Sequence, residues 1–476
     1  MTQSVRSTAA CVDFITRARW KDVPPDAAQL AKRCIIDGLG VILAGSTTEG
    51  STILRDYVRR TDGGEESTVF GADVFRASAG GAAFLNAASG HAMDWDDTQL
   101  STTADRIFGL LTHPTIPPLA AALAVGERLR VSGERFLEAF LIGFEVECKI
   151  AESIHPSHYK KGFHSSGTIG TFGAASATAK LLGLDAKATA HMLSIAASLC
   201  AGIRVNFGTM TKPLHVGRAA QNGVLAADLA SAGFTGGKDG LDGPWGFFQV
   251  FSFGDGMDED RIVGKLGNPY TIVSPGVSIK PYPCGVLGHP TMDAMRALVT
   301  AHDVKPEQIK AIRVRAGSNI LNPLRYKIAQ TELEAKFCPA FMVSAIALRR
   351  KAAIHEFTDE FVRSEPVQQM MARCETILDA QIEAKGFEKI RSTVEVDLTD
   401  GRTLVQAADE RYRGGPDRPF TREELHEKFT ECAELVLPEP AMAETLRAVE
   451  SLEKAGDITT LVNTLATHKT ELQGAR

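Results

Sequence analysis

With 476 residues, 44% of them hydrophobic and 23% charged, the chain has the composition of a soluble globular enzyme and length for two or three domains. A net charge of −6 argues against nucleic acid or an anionic membrane as the main partner, and no run approaches the roughly 18 apolar residues that cross a bilayer. The eight cysteines stand singly without zinc or iron–sulfur spacing, and residues 1–20 carry no apolar signal core, so a reducing, cytoplasmic setting is expected.

In chain order, Pro25 to about Gly45 repeats apolar residues at helical spacing, with proline suited to the first turn and glycine to the end. A second helix is expected over about Ser51 to Arg60. The run from Ala77 to Ala88 is almost entirely small residues, which lets a helix approach its neighbours closely, and it leads into His91-Ala92-Met93-Asp94-Trp95-Asp96-Asp97-Thr98. Residues 99–112 read as a polar loop ending at His113-Pro114. Helices follow over about 118–129, 134–154 with Ser132 as N-cap, 169–182, and from Asp185 to about Ala201. Nothing before residue 270 reads as a strand. After Pro269 the pattern changes: 273–280 is strand-like, 309–316 alternates like a half-buried strand, and 394–398 with 403–405 reads as a hairpin around Asp400-Gly401. From Thr421 the chain is helical again, over about 423–433, 441–452 and 459–472. The expected organisation is a helical domain begun by residues 1–274 and finished by 406–476, with an α+β domain from 275 to 405 between them.

One stretch concentrates chemistry. In Asn206-Phe207-Gly208-Thr209-Met210-Thr211-Lys212-Pro213-Leu214-His215-Val216-Gly217-Arg218, the groups Lys212, His215 and Arg218 recur every third residue, which suggests one helix face turned to a small polyanion. The other candidates are Asp94, Asp96, Asp97, Thr98, His113, His164, Lys280 and His289, mostly at element ends or Gly/Pro-rich turns. Each has a plainer reading. Asp94 to Asp97 suit a solvated helix end, or a cation site short of oxygen ligands. His113 and His164 suit packing or capping, His215 structure, and Gly217 and Gly223 close helix contact. No Walker loop, dinucleotide fingerprint or GxSxG elbow is present. Lysines and imidazoles beside carboxylates suit proton transfer next to a substrate carboxylate, where fixed cations stabilise the charge that develops.

Taken in order, four blocks resemble the MmgE/PrpD family, whose members include 2-methylcitrate dehydratase, cis-aconitate decarboxylase and iminodisuccinate epimerase. They are His91 to Thr98 with His113-Pro114; Phe163-His164-Ser165-Ser166 leading into Gly167-Thr168-Ile169-Gly170; Thr211 to His215 with Gly217; and Glu334-Ala335-Lys336-Phe337. The resemblance spans about residues 10 to 450. It implies a large helical domain built from both chain ends, a smaller α+β lid, a homodimer, and catalysis without metal or organic cofactor at a site between the domains. By position it carries site roles to Asp94, Thr98, His113, His164, Lys212 and Lys280. Lys212, Lys280 and His164 would hold substrate carboxylates, His113 would transfer the proton, and Asp94 and Thr98 would orient it or the substrate.

Three departures separate the chain from the decarboxylase pattern. The segment between Thr98 and His113 is longer, Gly285 stands where a histidine is found, and Phe341 stands where a tyrosine is found. The expectation is therefore a lyase removing water from a small di- or tricarboxylate, with epimerisation and then decarboxylation as alternatives.

Overall fold

The computed structural model describes residues 6–100, 110–386 and 389–467. Its helices form where the sequence supplies both an apolar face and an end signal. Pro25–Gly45 is one unbroken helix with proline in the first turn, where a missing N–H costs nothing. Ser132 and Asp185 cap Gly133–Ser153 and Ala186–Leu199, their side chains accepting from Arg135 N at 3.3 Å and Ala188 N at 2.8 Å.

The body is centred on Ala79–Ala92, which packs on Thr211–Ser231, Pro25–Gly45 and Ile116–Leu129. Gly170–Leu182 completes it against Gly133–Ser153. Small residues set these distances: a Cβ on Gly217 would stand 2.7 Å from the Phe84 carbonyl, and one on Gly223 2.5 Å from Ala175 N. Arg422–Ala433 from the far end of the chain packs on Pro25–Gly45, so both ends build the helical domain.

The smaller α+β domain has its own hydrophobic core, running from Tyr282 to Tyr412 with Phe207 added from the body. Its four strands lie in the order Cys374–Leu378, Ile309–Ala316, Ser392–Leu398, Thr403–Ala407, the first pair parallel and the others antiparallel. Ile312, Val314, Val394 and Val396 turn one face inward against His289–Ala301 and Pro339–Arg349.

Three expectations change. The first 270 residues are not free of strands: Ser67–Val69 pairs with Phe75–Ala77, and Gln99–Leu100 with Leu110–Thr112. Segments of two or three residues are too short to show alternation. Residues 273–280 form no strand; Pro275 has no N–H and Gly276 is at φ +87°, leaving only a bridge between Ser278 and Thr98. Cys374–Leu378 was not foreseen, because it is a largely exposed edge strand without an apolar run. The expected loop interior 101–109, and the end of the expected 459–472 helix beyond 467, lie outside the described residues. Among the described residues, no helix is long and apolar enough to cross a membrane.

Candidate active site

Five stretches bring their polar side chains to the seam between the domains. Ala79–Ala92 ends with His91 inward, and the chain then turns at Asp94, which adopts a left-handed conformation at φ +51° that aspartate tolerates better than most residues. Leu110–Thr112 delivers His113, and the turn before the short Ser165–Thr168 helix delivers His164. Lys212 occupies the first turn of Thr211–Ser231, where Pro213 is tolerated. Lys280 arrives from the segment joining the domains. None of His91, Asp94, His113, His164, Lys212 and Lys280 is more than 5% exposed.

Asp94 is the hub. Its Oδ1 accepts from Lys212 Nζ at 2.7 Å and Lys280 Nζ at 3.1 Å, and its carbonyl accepts from Lys280 at 2.8 Å. Lys212 donates a second N–H to His91 Nε2 at 2.7 Å, and His91 Nδ1 lies 2.8 Å from Asp96 Oδ2. The same Asp96 oxygen is 3.5 Å from His113 Nδ1, whose closer partner is the Asp97 carbonyl at 2.9 Å. The His91 ring is stacked on His164 and edge-on to His113, with centroids 5.5 and 4.8 Å away. Phe207 and Phe337 wall the cluster, with Lys212 Nζ 5.4 and 5.7 Å from their centroids.

Burial and neighbouring charge fix the protonation states. Burial alone would raise the Asp94 carboxyl, but Lys212 and Lys280 outweigh it and hold it well below the usual range. Burial likewise opposes ionisation of Asp96; His91 and His113, which turn their Nδ1–H toward it, and the Lys280 cation reverse the balance, so it too stays ionised. The imidazoles go the other way. Burial pushes His113 and His164 well below the ordinary histidine value; the lysines add to this, while at His113 Asp96 opposes it. His91 is lowered for the same first reason. At neutral pH the site sets ionised Asp94 and Asp96 and three neutral imidazoles around Lys212 and Lys280; burial also lowers Lys212, against the pull of Asp94. Because the Asp97 carbonyl can only accept, His113 carries its proton on Nδ1 and keeps its lone pair on Nε2. Among the described residues, His164 Nε2 has no hydrogen-bond partner.

The other expected residues are placed as follows. Thr98 Oγ1 is 3.3 Å from His113 Nδ1, and His215 Nδ1 is 3.1 Å from His164 Nδ1. Arg218 is not part of the site: it is exposed and bonded to Gln221, because six residues along a helix rotate a side chain about 120° from Lys212. His289 is buried behind the cluster, its Nε2 on the Cys284 carbonyl at 3.1 Å and its ring edge-on to Tyr282. Asp94, Asp96 and Asp97 are not a solvated helix end but fully enclosed; Asp97 bonds Thr115 Oγ1 at 2.7 Å. The carboxylate paired with His113 is that of Asp96, at 3.5 Å.

Sequence reasoning gave His91 no role of its own and read Asp96 as part of a solvated helix end or a cation site. His91, Asp96 and His113 do fall within chelating distance of one another. Yet the Lys212 ammonium occupies His91 Nε2, and two lysines beside the trio set its charge against a cation. The one signal for the pair was their five-residue spacing across a helix end, which brings them together only once Asp94 turns the chain.

Two domains meet over buried lysines, carboxylates and neutral imidazoles, an arrangement suited to acid–base chemistry. The MmgE/PrpD N-terminal domain matches residues 10–260 and the MmgE/PrpD C-terminal domain matches residues 282–454. The chain belongs to the MmgE/PrpD family, and with it to a group of lyases. It is 28% identical to cis-aconitate decarboxylase of Mus musculus over 91% of this chain and 88% of the relative, and 28% identical to that of Homo sapiens over 92% and 90%. Cis-aconitate decarboxylase of Aspergillus terreus is 24% identical over 96% and 95%.

Proposed function

We propose that the chain is a lyase acting on a small di- or tricarboxylate through proton transfer beside a carboxylate. The observation that carries this is the pair of buried ammonium groups sharing one oxygen of Asp94, with the unpartnered His164 Nε2 alongside. A substrate carboxylate accepts from the lysine N–H groups that Asp94 and His91 leave free, and neutral His164, in the tautomer with its proton on Nε2, donates to another. Charge developing on the substrate then meets cations already in place, which need no reorganisation. His113, with its Nε2 lone pair exposed by the tautomer that Asp97 fixes, exchanges the proton.

The relatives favour loss of carbon dioxide from a cis-aconitate-like acid as the particular reaction. Elimination of water is the second reading, and two residues favour it. Phe341 is fully buried edge-on to Phe357 and Phe361, and offers no hydroxyl. Gly285 offers no side chain, and a Cβ there would stand 2.7 Å from Leu324 Cδ2.

Proton NMR of the purified protein in deuterium oxide tests the proposal, with cis-aconitate, citrate, 2-methylcitrate and iminodisuccinate stereoisomers as candidates. Methylene signals of a decarboxylated alkene from cis-aconitate establish the first reaction. Vinyl signals from a hydroxy acid establish the second. Stereoisomer interconversion with deuterium uptake and no alkene would replace the lyase reading with an epimerase.

A further inference from the structure

Lys212 is held from two sides, and only the Asp94 side belongs to the mechanism above. On the other side a chain of three groups runs from Lys212 Nζ to His91 Nε2, through the ring to Nδ1, and on to Asp96 Oδ2, with links of 2.7 and 2.8 Å. The partners decide the tautomer. An ammonium can only donate, so Nε2 must accept; an ionised carboxylate can only accept, so Nδ1 must carry the proton. All three groups are buried, Asp96 and His91 at no more than 1% exposure, so water does not compete for these bonds.

We infer that His91 and Asp96 form a positioning dyad for Lys212, in which Asp96 fixes the His91 tautomer so that Nε2 holds one Lys212 N–H and the third N–H is left to aim at substrate. Neither residue touches substrate. With Asp94 taking one N–H and His91 a second, the ammonium cannot rotate, and the remaining donor has one direction. Asp96 Oδ2 also lies 3.5 Å from His113 Nδ1, so one carboxylate oxygen sits against both the ring that steers the lysine and the ring that moves the proton.

The inference rests on the proposed polycarboxylate reaction, but its first test does not. Long-range proton–nitrogen correlation on protein labelled with 15N-histidine, with His91 assigned by its loss in His91→Gln, reads the tautomer directly. The expected result is a neutral ring protonated at Nδ1; protonation at Nε2 would overturn the dyad. In Asp96→Asn the charge-assisted bond from Nδ1–H is lost, so that proton should move upfield from its strongly hydrogen-bonded position, and an unchanged shift removes Asp96 from the dyad.

The second test separates steering from packing. A glutamine amide reaches the position of His91 Nε2 and keeps an acceptor for Lys212, whereas asparagine reaches only that of Nδ1. His91→Gln should keep kcat within about tenfold of the parent, and His91→Asn should lose about a hundredfold, the scale on which orienting groups act. Equal losses in both variants would reduce His91 to a packing role. If the parent turns over none of the candidate acids, the proposed function fails, while the tautomer still decides the dyad.

Discussion

Lys212 has three N–H groups, and Asp94 and His91 hold two of them before any substrate arrives. Lys212→Ala should therefore lower kcat/KM on the true substrate by about a hundredfold or more, the scale of losing a preorganised donor; near-parent turnover would remove its assigned role. His113 gives the pH dependence. Burial holds its pKa well below the ordinary histidine value, so the base stays neutral down to lower pH than a free histidine. The acidic limb of kcat/KM should lie below pH 6.5, and a limb above 7 would contradict the neutral site.

Asp97 acts on stability with the opposite sign. Burial, with Asp37 and Asp96 nearby, raises its carboxyl to about 8. Between its ordinary value and 8 the folded state binds more protons than the unfolded one, so this contribution is complete at low pH and is lost as pH rises through 8. Asp97→Asn, which keeps an acceptor for Thr115, should flatten the fall in melting temperature between pH 6 and 9. An unchanged slope would show that Asp97 is ionised in the folded protein. At this scale the sequence was legible where a residue type announces its chemistry at an element end, as at His113, His164 and Lys212. Arg218 misled because spacing by three was read without its accumulated rotation. His91 was hidden because its partner is set by the turn at Asp94, which no periodicity encodes.

The elements that carry the site are held by absent side chains. Gly223 on Thr211–Ser231 lies against Ala174 and Ala175 of Gly170–Leu182, with the Ala175 backbone nitrogen 2.5 Å from where a Cβ would be. Backbone cannot swing aside as a side-chain tip can. Gly223→Val should cost about 1–3 kcal/mol, the range for overpacking a core, visible as a lower melting temperature. It should also reduce activity, because Lys212 rides on the same helix. A melting temperature equal to the parent's would mean the helices separate freely. Long helices of this kind were legible from apolar spacing and end signals, and Pro25–Gly45 and the capped helices after Ser132 and Asp185 follow that logic. The short hairpin at Ser67–Val69 and the edge strand at Cys374–Leu378 were not, since tertiary pairing rather than local pattern creates them.

Across the whole molecule, the candidate site exists only where the two domains meet. The α+β core includes Phe207 from the helical side, Arg325 donates to the Phe207 carbonyl at 2.8 Å, and Ser278 bridges to Thr98 beside His113. Phe337 and Lys280 reach the cluster from the other side of the seam. A polycarboxylate bound there should tie the domains together and raise the melting temperature. At a hundred times its dissociation constant the stabilisation is about 2.7 kcal/mol, and Lys212→Ala should abolish it at the same concentration.

The most direct test is a crystal structure of the protein with tricarballylate, an unreactive tricarboxylate. The expected result places its carboxylates within hydrogen-bond distance of Lys212 Nζ, Lys280 Nζ and His164 Nε2, with His113 Nε2 facing the carbon between them. A second cleft, of about 890 Å³, lies behind Trp95 and is lined by Arg296, Arg413 and Lys428. Tricarballylate held there, with the Asp94 cluster unchanged, would contradict the account.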